Sequence, residues 1–375
     1  MGAVATINLR ALAHNIGLFR SLAPGSAVCA VVKADGYGHG AIDIARAALS
    51  AGATWLAVAT VPEAVELASL AESADAPVLI LSERPAGELE AGWADLPRSA
   101  RLVVGSQRGA RLIESLVTGP TGSNNAVPIH VKVDTGMHRM GVDPAGAVDL
   151  ANMIRSAPGL TLEGVCTHFA VADEPANPFT SVQIQRFEEV LGDLAAAGHQ
   201  PPVIHMANSA AALIRPDTHR SMIRLGIAMY GVAPAAELGP LADLRPVLTL
   251  TTQVTAVRTV EPNETVSYGR RWTASEPTRI ATLPVGYADG IRRSSGADGV
   301  EVLIGGSRRP VVGAVTMDQM MVVVDQSVEV GDPATLLGRD GSDMITADEV
   351  ADRLGTIPYE VLVSLGQRVA RRVVE

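Results

Sequence analysis

A chain of 375 residues exceeds what one ordinary hydrophobic core organises, so two domains, or an α/β barrel of about 200–250 residues with a smaller companion, are expected. Its 47% hydrophobic and 19% charged residues, without a low-complexity tract, exclude a disordered chain. The formal net charge of −10 and the lack of a long basic run exclude a nucleic-acid partner, and no run of about 18 apolar residues offers a membrane span.

The first segment, MGAVATINLRALAHNIG, has no apolar core followed by a small-residue cleavage site, so no secretion signal is expected. Cys29 and Cys166 lie inside apolar runs without metal-knuckle spacing and read as buried free thiols. A reducing, cytoplasmic location with no bound metal follows from that reading. The pairs Arg308–Arg309 and Arg371–Arg372 read as solvated surface.

In chain order, the first buried run spans 27–33 and ends at the only lysine of the first 130 residues, with Gly36, Tyr37, Gly38, His39 and Gly40 behind it. Similar runs at 54–60, 78–82, 101–104, 129–133, 162–169, 203–206 and 222–230 make eight strand candidates. They are almost continuously apolar, as parallel strands covered on both faces require. Thr60 as N-cap and Pro62 in the first turn begin a helix over VPEAVELASLAES. Phe187, Val190, Leu191 and Leu194 recur at helical spacing, with Gly198 as the stop.

Eight strand–helix alternations predict a closed barrel; a doubly wound open sheet is the alternative, but no Gly-x-Gly-x-x-Gly follows any strand. After Gly231, GVAPAAELGPLADLRP carries three prolines and reads as a connection. Val- and Thr-rich runs cut by Gly and Pro then predict strands, with short helices near 345–354 and 360–365. The expected fold is α/β: an N-terminal (β/α)8 TIM-type barrel over 1–236 and a C-terminal mainly β domain over 237–375, with which the first few residues are free to pair.

Barrel enzymes gather reactive groups at the carboxyl ends of their strands. Those ends deliver Lys33, then Lys132, Asp134 and Arg139, then His168, Asn208 and Ser209, with Arg224 inside the last run. A lysine, a histidine, two arginines and small donors at one mouth suit an anionic, phosphorylated ligand. Plainer readings exist: Lys33 as a solvated rim lysine, His168 as a satisfied rim histidine, Asp134 as a turn former. Arg224 resists one, because an unpartnered guanidinium in a buried run is costly. A lysine shielded by apolar neighbours loses part of its preference for the ammonium form, and its neutral amine can form a Schiff base. With glycines behind it and the Tyr37 hydroxyl nearby, Lys33 suits an aldehyde cofactor with a phosphate handle.

VVKADGYGHG resembles the pyridoxal-phosphate attachment segment of alanine racemases. KVDTGMHRMG, THFA, ANSAA, RLGIAMYG, VSYG, GYADG, MDQ and IPYE follow in that family's order, spanning about residues 4–370. The resemblance implies a pyridoxal 5'-phosphate-dependent isomerase that interconverts L-alanine and D-alanine as a homodimer with shared active sites. Lys33 would be the Schiff-base lysine and the base for the D-enantiomer. Tyr268, reaching in from the other subunit, would be the base for the L-enantiomer. Tyr37, Ser209, the Gly226–Ile227 backbone and Tyr359 would hold the phosphate, and Arg224 would face the pyridine nitrogen with His168 behind it. Arg139 would bind the phenolic oxygen and the substrate carboxylate. Lys132 stands where some members carry a carbamylated lysine, and Tyr287, Met317 and Asp318 would come from the partner. Many members have Cys before Met-Asp, where this chain has Thr316; that departure concerns the pocket wall.

Two fixed bases suit racemisation, because the α-proton leaves one face and returns on the other. An arginine at the ring nitrogen, unlike a carboxylate, disfavours its protonation and limits the delocalised charge that leads to side reactions. A pyridoxal-phosphate decarboxylase is the nearest rival, but the chain lacks its Gly-rich phosphate run and Cys-Asp pair; a single-barrel, non-catalytic cofactor carrier would lack the β domain. Alanine is the default substrate, with serine open, and D-alanine for peptidoglycan or catabolism of L-alanine the implied role.

Overall fold

The computed structural model describes residues 2–119 and 126–375. One unit comprises Leu12–Gly36 and Ala41–Leu244; the other comprises Met1–Ala11, Tyr37–Gly40 and Arg245–Glu375. Strand β1 (Val4–Asn8) belongs to the second unit. The first is built on β2 (Ala27–Val31), β3 (Trp55–Val58), β4 (Val78–Ile80), β5 (Ala100–Val104), β6 (Val127–Lys132), β7 (Leu160–Cys166), β8 (Val203–His205) and β9 (Met222–Leu225).

These eight strands are parallel, in the order β8-β7-β6-β5-β4-β3-β2-β9, each at one of the expected apolar runs. The β8 and β9 edges are stitched rather than laddered. Arg224 N–H donates to the Ala207 carbonyl at 3.1 Å, Ser221 N–H donates to Ile204 O at 3.2 Å, and the Ser221 hydroxyl accepts from Ile204 N–H at 2.6 Å. The sheet thus wraps into a nearly closed TIM-type barrel, as periodicity predicted.

Several strands end before their apolar runs do: the 54–60 run stops pairing at Val58 and the 162–169 run at Cys166, ahead of His168, and two more have a local backbone cause. The 222–230 run stops at Leu225, because Gly226 leaves β geometry (φ −101°, ψ −111°) and Ile227–Tyr230 winds into a 3-10 turn. The 27–33 run stops at Val31, and the helical turn Lys33–Gly38 that follows is left-handed from Ala34 onward. Its φ values are +53° at Ala34, +52° at Asp35, +59° at Gly36, +54° at Tyr37 and +80° at Gly38. Such a conformation costs roughly 1–2 kcal/mol per non-glycine residue. A Cβ at Gly38 would overlap the Leu362 carbonyl within the second unit, so glycine is required there twice over.

The helix begun by Thr60 closes with a full capping box, Thr60 Oγ1 accepting from Glu63 N–H and Glu63 Oε2 accepting from Thr60 N–H. It is two helices, Val61–Glu66 and Ala68–Ser73, rather than one. Phe179–Ala196 buries Phe187, Val190 and Leu194, ends at Ala197, and is followed by Gly198 at φ +81°.

In the second unit a ten-stranded sheet runs from Ala256–Val260 through Thr278–Leu283, Met320–Val324, Ser307–Val312, Glu301–Ile304, Pro333–Asp340 and Leu248–Gln253 to β1 and Ala370–Val374, with Asp343–Ile345 paired beside Pro333–Asp340. β1 lies antiparallel to Leu248–Gln253 and parallel to Ala370–Val374. The helices Ala347–Leu354 and Pro358–Val363 stand close to their predicted places. The arginine pairs are not merely solvated. Arg308 meets the carboxylates of Glu301, Asp343 and Glu349, Arg309 pairs with Asp325, and Arg371 donates to the carbonyls of Gly38, Leu365, Gly366 and Val369. Acceptors distant in sequence converge on these guanidinium groups, which short-range charge patterning does not register.

Tyr230 is buried in the first unit and donates its hydroxyl to the Val31 carbonyl at 3.0 Å, pinning the end of β2 two residues before Lys33. Tyr230→Phe leaves that carbonyl short of a donor and is expected to lower the unfolding free energy by about 1–2 kcal/mol, measured by denaturant titration.

Candidate functional site

The turn after β2 is held from outside itself. Glu63, besides capping its own helix, accepts from Ala34 N–H at 2.7 Å through Oε1 and from Ala59 N–H at 2.8 Å through Oε2. Asp35 Oδ1 accepts from Ala41 N–H at 3.0 Å. These carboxylates fasten a strained backbone at the residue next to Lys33. The Lys33 side chain is half-buried, and its pKa is lowered mainly by burial and further by Arg139, while Glu63 opposes the shift. Sequence reading missed Glu63, whose signal was the third-position glutamate of the capping box.

Arg224 is buried in β9 opposite Cys29 of β2. Its Nη1 donates to His205 Nδ1 at 2.8 Å; its Nη2 faces the carbonyls of Thr167 (3.0 Å) and Met206 (3.1 Å) and His168 Nδ1 (3.2 Å). The partner that a buried arginine demands is therefore a ring of four acceptors from the segments following β7 and β8 and from β8 itself. Nε–H carries no hydrogen bond from the described residues. Because an arginine only donates, His205 and His168 present bare nitrogens to it. Burial, then Arg224, then the other cations, drive both imidazoles well below the usual histidine range. Burial likewise pushes the Cys29 thiol up to about 12, with Arg224 partly offsetting it.

Ser209 is buried at the start of Ser209–Ile214, behind Asn208, whose side chain caps that helix by accepting from Ala211 N–H at 3.0 Å. Its hydroxyl oxygen accepts from Gly226 N–H at 3.0 Å and Ala228 N–H at 3.4 Å, and its own O–H has no acceptor among the described residues. Gly226, Ile227 and Ser209 are thus brought together.

Lys132 ends β6 buried, its pKa lowered first by burial and then by Arg224 and Arg139, against Cys166 and Asp134. Asp134 takes the plainer reading: its Oδ1 accepts from Gly136 N–H at 2.9 Å and His138 N–H at 3.0 Å and shapes the turn. Arg139 follows that turn, exposed. Lys33, Lys132, Arg139, His168 and Arg224 share one electrostatic neighbourhood, since each of the four cations depresses the His168 pKa.

The other predicted residues belong to the second unit. The Tyr37 and Tyr359 rings lie 6.1 Å apart, and burial raises the Tyr37 pKa. Tyr268 is 70% exposed on a loop with positive φ at Ser267, Gly269 and Arg270, tied down by Ser267 Oγ donating to Ala314 O at 2.6 Å. Tyr287 and Met317 are exposed and joined through the backbone, with Tyr287 N–H on Thr316 O and Ala288 N–H on Met317 O. Asp318 pairs with Arg368 at 2.8 Å. The Thr316 hydroxyl closes this loop, donating to Gln319 O and accepting from Gln319 N–H, both at 3.0 Å. That turn chemistry is what threonine supplies here.

Three more polar residues lie on the barrel strands: His130, Glu163 and His205. His130 and His205 are fully buried. Each interrupts an apolar run, IHVK and VIHM, and that interruption was the available signal.

The model for "Alanine racemase, N-terminal domain" matches residues 7–234, and that for "Alanine racemase, C-terminal domain" matches 247–373. An alanine racemase of Symbiobacterium thermophilum is 42% identical over 369 residues, covering 98% of this chain and 96% of its own length. The solved alanine racemase of D-cycloserine-producing Streptomyces lavendulae superposes with a TM-score of 0.92 at 34% identity, covering 100% of this chain and 97% of that one. That of Bacillus anthracis, solved with bound L-Ala-P, gives 0.91 at 35% identity, covering 100% and 95%.

Lys33 and Lys132 are the only lysines of the chain, so its side-chain amines can be watched without interference. Reductive 13C-methylation of the ligand-free chain is expected to give two side-chain signals, both titrating below the ordinary lysine value of about 10.4, since burial disfavours the ammonium. Lys33→Arg assigns one of them; its titration at the ordinary value refutes the shielding of that amine.

Proposed function

The chain belongs to the alanine racemase family and is an enzyme that racemises alanine; on that premise we propose that it does so with pyridoxal 5'-phosphate, using Lys33 of one subunit and Tyr268 of a second as its two bases. The observation that carries the cofactor assignment is Arg224, locked on four acceptors with its Nε–H left over. A fixed, permanently charged donor suits an unprotonated pyridine nitrogen, as a carboxylate would suit a protonated one. The spare O–H of buried Ser209, beside the Gly226–Ile227 turn, fits a phosphate oxygen, a role we extend to the hydroxyls of Tyr37 and Tyr359. When bound, pyridoxal phosphate supplies the electron sink that acidifies the α-C–H of the attached amino acid.

Lys33 suits the aldehyde carbon because its shielded amine is deprotonated more readily than a surface lysine. Its amine would also be the base that moves a proton on the face belonging to D-alanine. Arg139, long and exposed after the Asp134 turn, is the carboxylate clamp, and Lys132 sits in its electrostatic reach as the carbamylation candidate that would orient it. Tyr268 takes the opposite face. Its loop presents an aromatic ring to solvent, together with exposed Tyr287 and Met317, and burial by a second copy of the chain accounts for that exposure. Tyr287, Met317 and Asp318 would then line the partner's site, so the working unit is a homodimer. We assign the reaction to the cytoplasm, where Cys29 and Cys166 stay reduced, and its product to D-alanine for peptidoglycan.

The purified protein is expected to be yellow and to lose its visible band in Lys33→Ala, and either enantiomer of alanine is expected to lose optical rotation toward zero. A colourless protein, or release of carbon dioxide in place of racemisation, overturns the assignment. Lys33→Ala and Tyr268→Phe, each impaired alone, are expected to regain activity when their subunits are mixed, because a hybrid dimer holds one intact pair; no recovery refutes the shared site.

A further inference from the structure

Barrel interiors are normally filled by Val, Ile and Leu. This barrel carries a file of hydrogen-bonded polar side chains on five consecutive strands, buried at Arg224, His205 and His130 and partly exposed at Glu163 and Arg101. From Arg224 on β9 the file runs to His205 on β8 (Nη1 to Nδ1, 2.8 Å), to His130 on β6 (Nε2 to Nδ1, 2.8 Å), to Glu163 on β7 (Nε2 to Oε2, 2.9 Å) and to Arg101 on β5 (Oε2 to Nε, 3.1 Å).

Its two ends force one direction on every bond between them. Arg224 only donates, so His205 Nδ1 must accept and His205 carries its proton on Nε2. That N–H donates to His130 Nδ1, so His130 also carries its proton on Nε2 and donates to the Glu163 carboxylate, which only accepts. A proton on Nδ1 of either ring would set two donors face to face.

The backbone is shaped around the same contact. The β6–β7 register shifts between Ile129 and His130, an irregularity of the kind that re-aims a side chain. A Cβ at Gly164, paired with His130, would overlap the His130 ring. Gly164 has no positive φ to explain it; the imidazole occupies the space a side chain would take.

We propose that Glu163, through His130 and His205, is a positioning residue for Arg224: as the acceptor at the far end of the file it favours the same His205 tautomer that Arg224 requires, so Nη1 keeps its acceptor and Nε stays aimed at the ring nitrogen. This rests on the assignment of Arg224 to that nitrogen. The partition of alanine between racemisation and pyruvate, formed when the amino group stays on the cofactor, would then depend on a carboxylate three hydrogen bonds from Arg224.

Nitrogen-15 spectra of histidine-labelled protein at pH 8, as purified and after cofactor removal, are expected to show His130 and His205 solely as Nε2–H forms. A Nδ1–H or doubly protonated ring at either position overturns the proposal. Glu163→Leu leaves the His130 Nε2–H without its acceptor, so the file is expected to reverse in part, mixing both tautomers at the expense of the Arg224–His205 bond, to lower kcat about tenfold with KM within about twofold, and to raise the pyruvate fraction about fivefold or more. Glu163→Gln, whose amide oxygen still accepts, is expected to restore the tautomers and most of kcat relative to Leu. Gly164→Ala, which removes no charge, is expected to reproduce the Leu result, and with the wild-type spectra it decides the matter if Glu163→Leu does not fold. Should Arg224→Lys raise pyruvate while Glu163→Leu and Gly164→Ala do not, the positioning role is refuted and the Arg224 assignment stands. If Arg224→Lys is silent too, the assignment itself fails and this proposal with it.

Discussion

A guanidinium sealed inside a barrel must find acceptors, and this requirement organises the barrel unit. Arg224 sits at the seam where β8 and β9 meet without a ladder, and its backbone N–H helps close that seam on Ala207. Its side chain gathers the carbonyls of Thr167 and Met206 and the bare nitrogens of His205 and His168. An unpaired buried charge would cost several kcal/mol, so the segments after β7 and β8 are held wherever Arg224 needs them. Ser209 follows three residues after Met206, and its hydroxyl takes the N–H of Gly226, two residues after Arg224. Satisfying one cation therefore also places the Ser209 hydroxyl against the Gly226–Ala228 backbone.

A second constraint works at the other end of the seam's neighbour, β2. The left-handed turn after Lys33 stores strain at three non-glycine residues. It persists because Glu63 accepts from the Ala34 N–H, because the Asp35 carboxylate ties the turn to the Ala41 N–H that follows it, and because Tyr230 secures the last carbonyl of β2. Strain fastened from several directions fixes the backbone at the base of Lys33 in one place. In the second unit the Ser267–Arg270 loop uses the same device, holding Tyr268 outward on positive-φ residues.

Much of this was legible in the sequence. Eight apolar runs, each bounded by polar or glycine residues, located the barrel strands because parallel strands are buried on both faces and cannot alternate. Arg224 declared itself as anomalous for the same reason. Asp134, Asn208 and Thr316 proved to be turn and cap residues, roles that local hydrogen bonding decides within three or four positions. The strand ends were less legible: the apolar character of Val32 and of Ile227–Tyr230 continues past the point where backbone torsion ends pairing.

What the sequence determined by itself was the family and the order of elements, since these rest on local pattern and motif. The tertiary structure alone decided which acceptors surround Arg224, which carboxylate reaches the turn after Lys33, and that His130, Glu163 and His205 form one polarised file. Those contacts join residues tens of positions apart across neighbouring strands. Their geometry is set by register, a bulge and a missing Cβ, quantities that exist only once the barrel has closed.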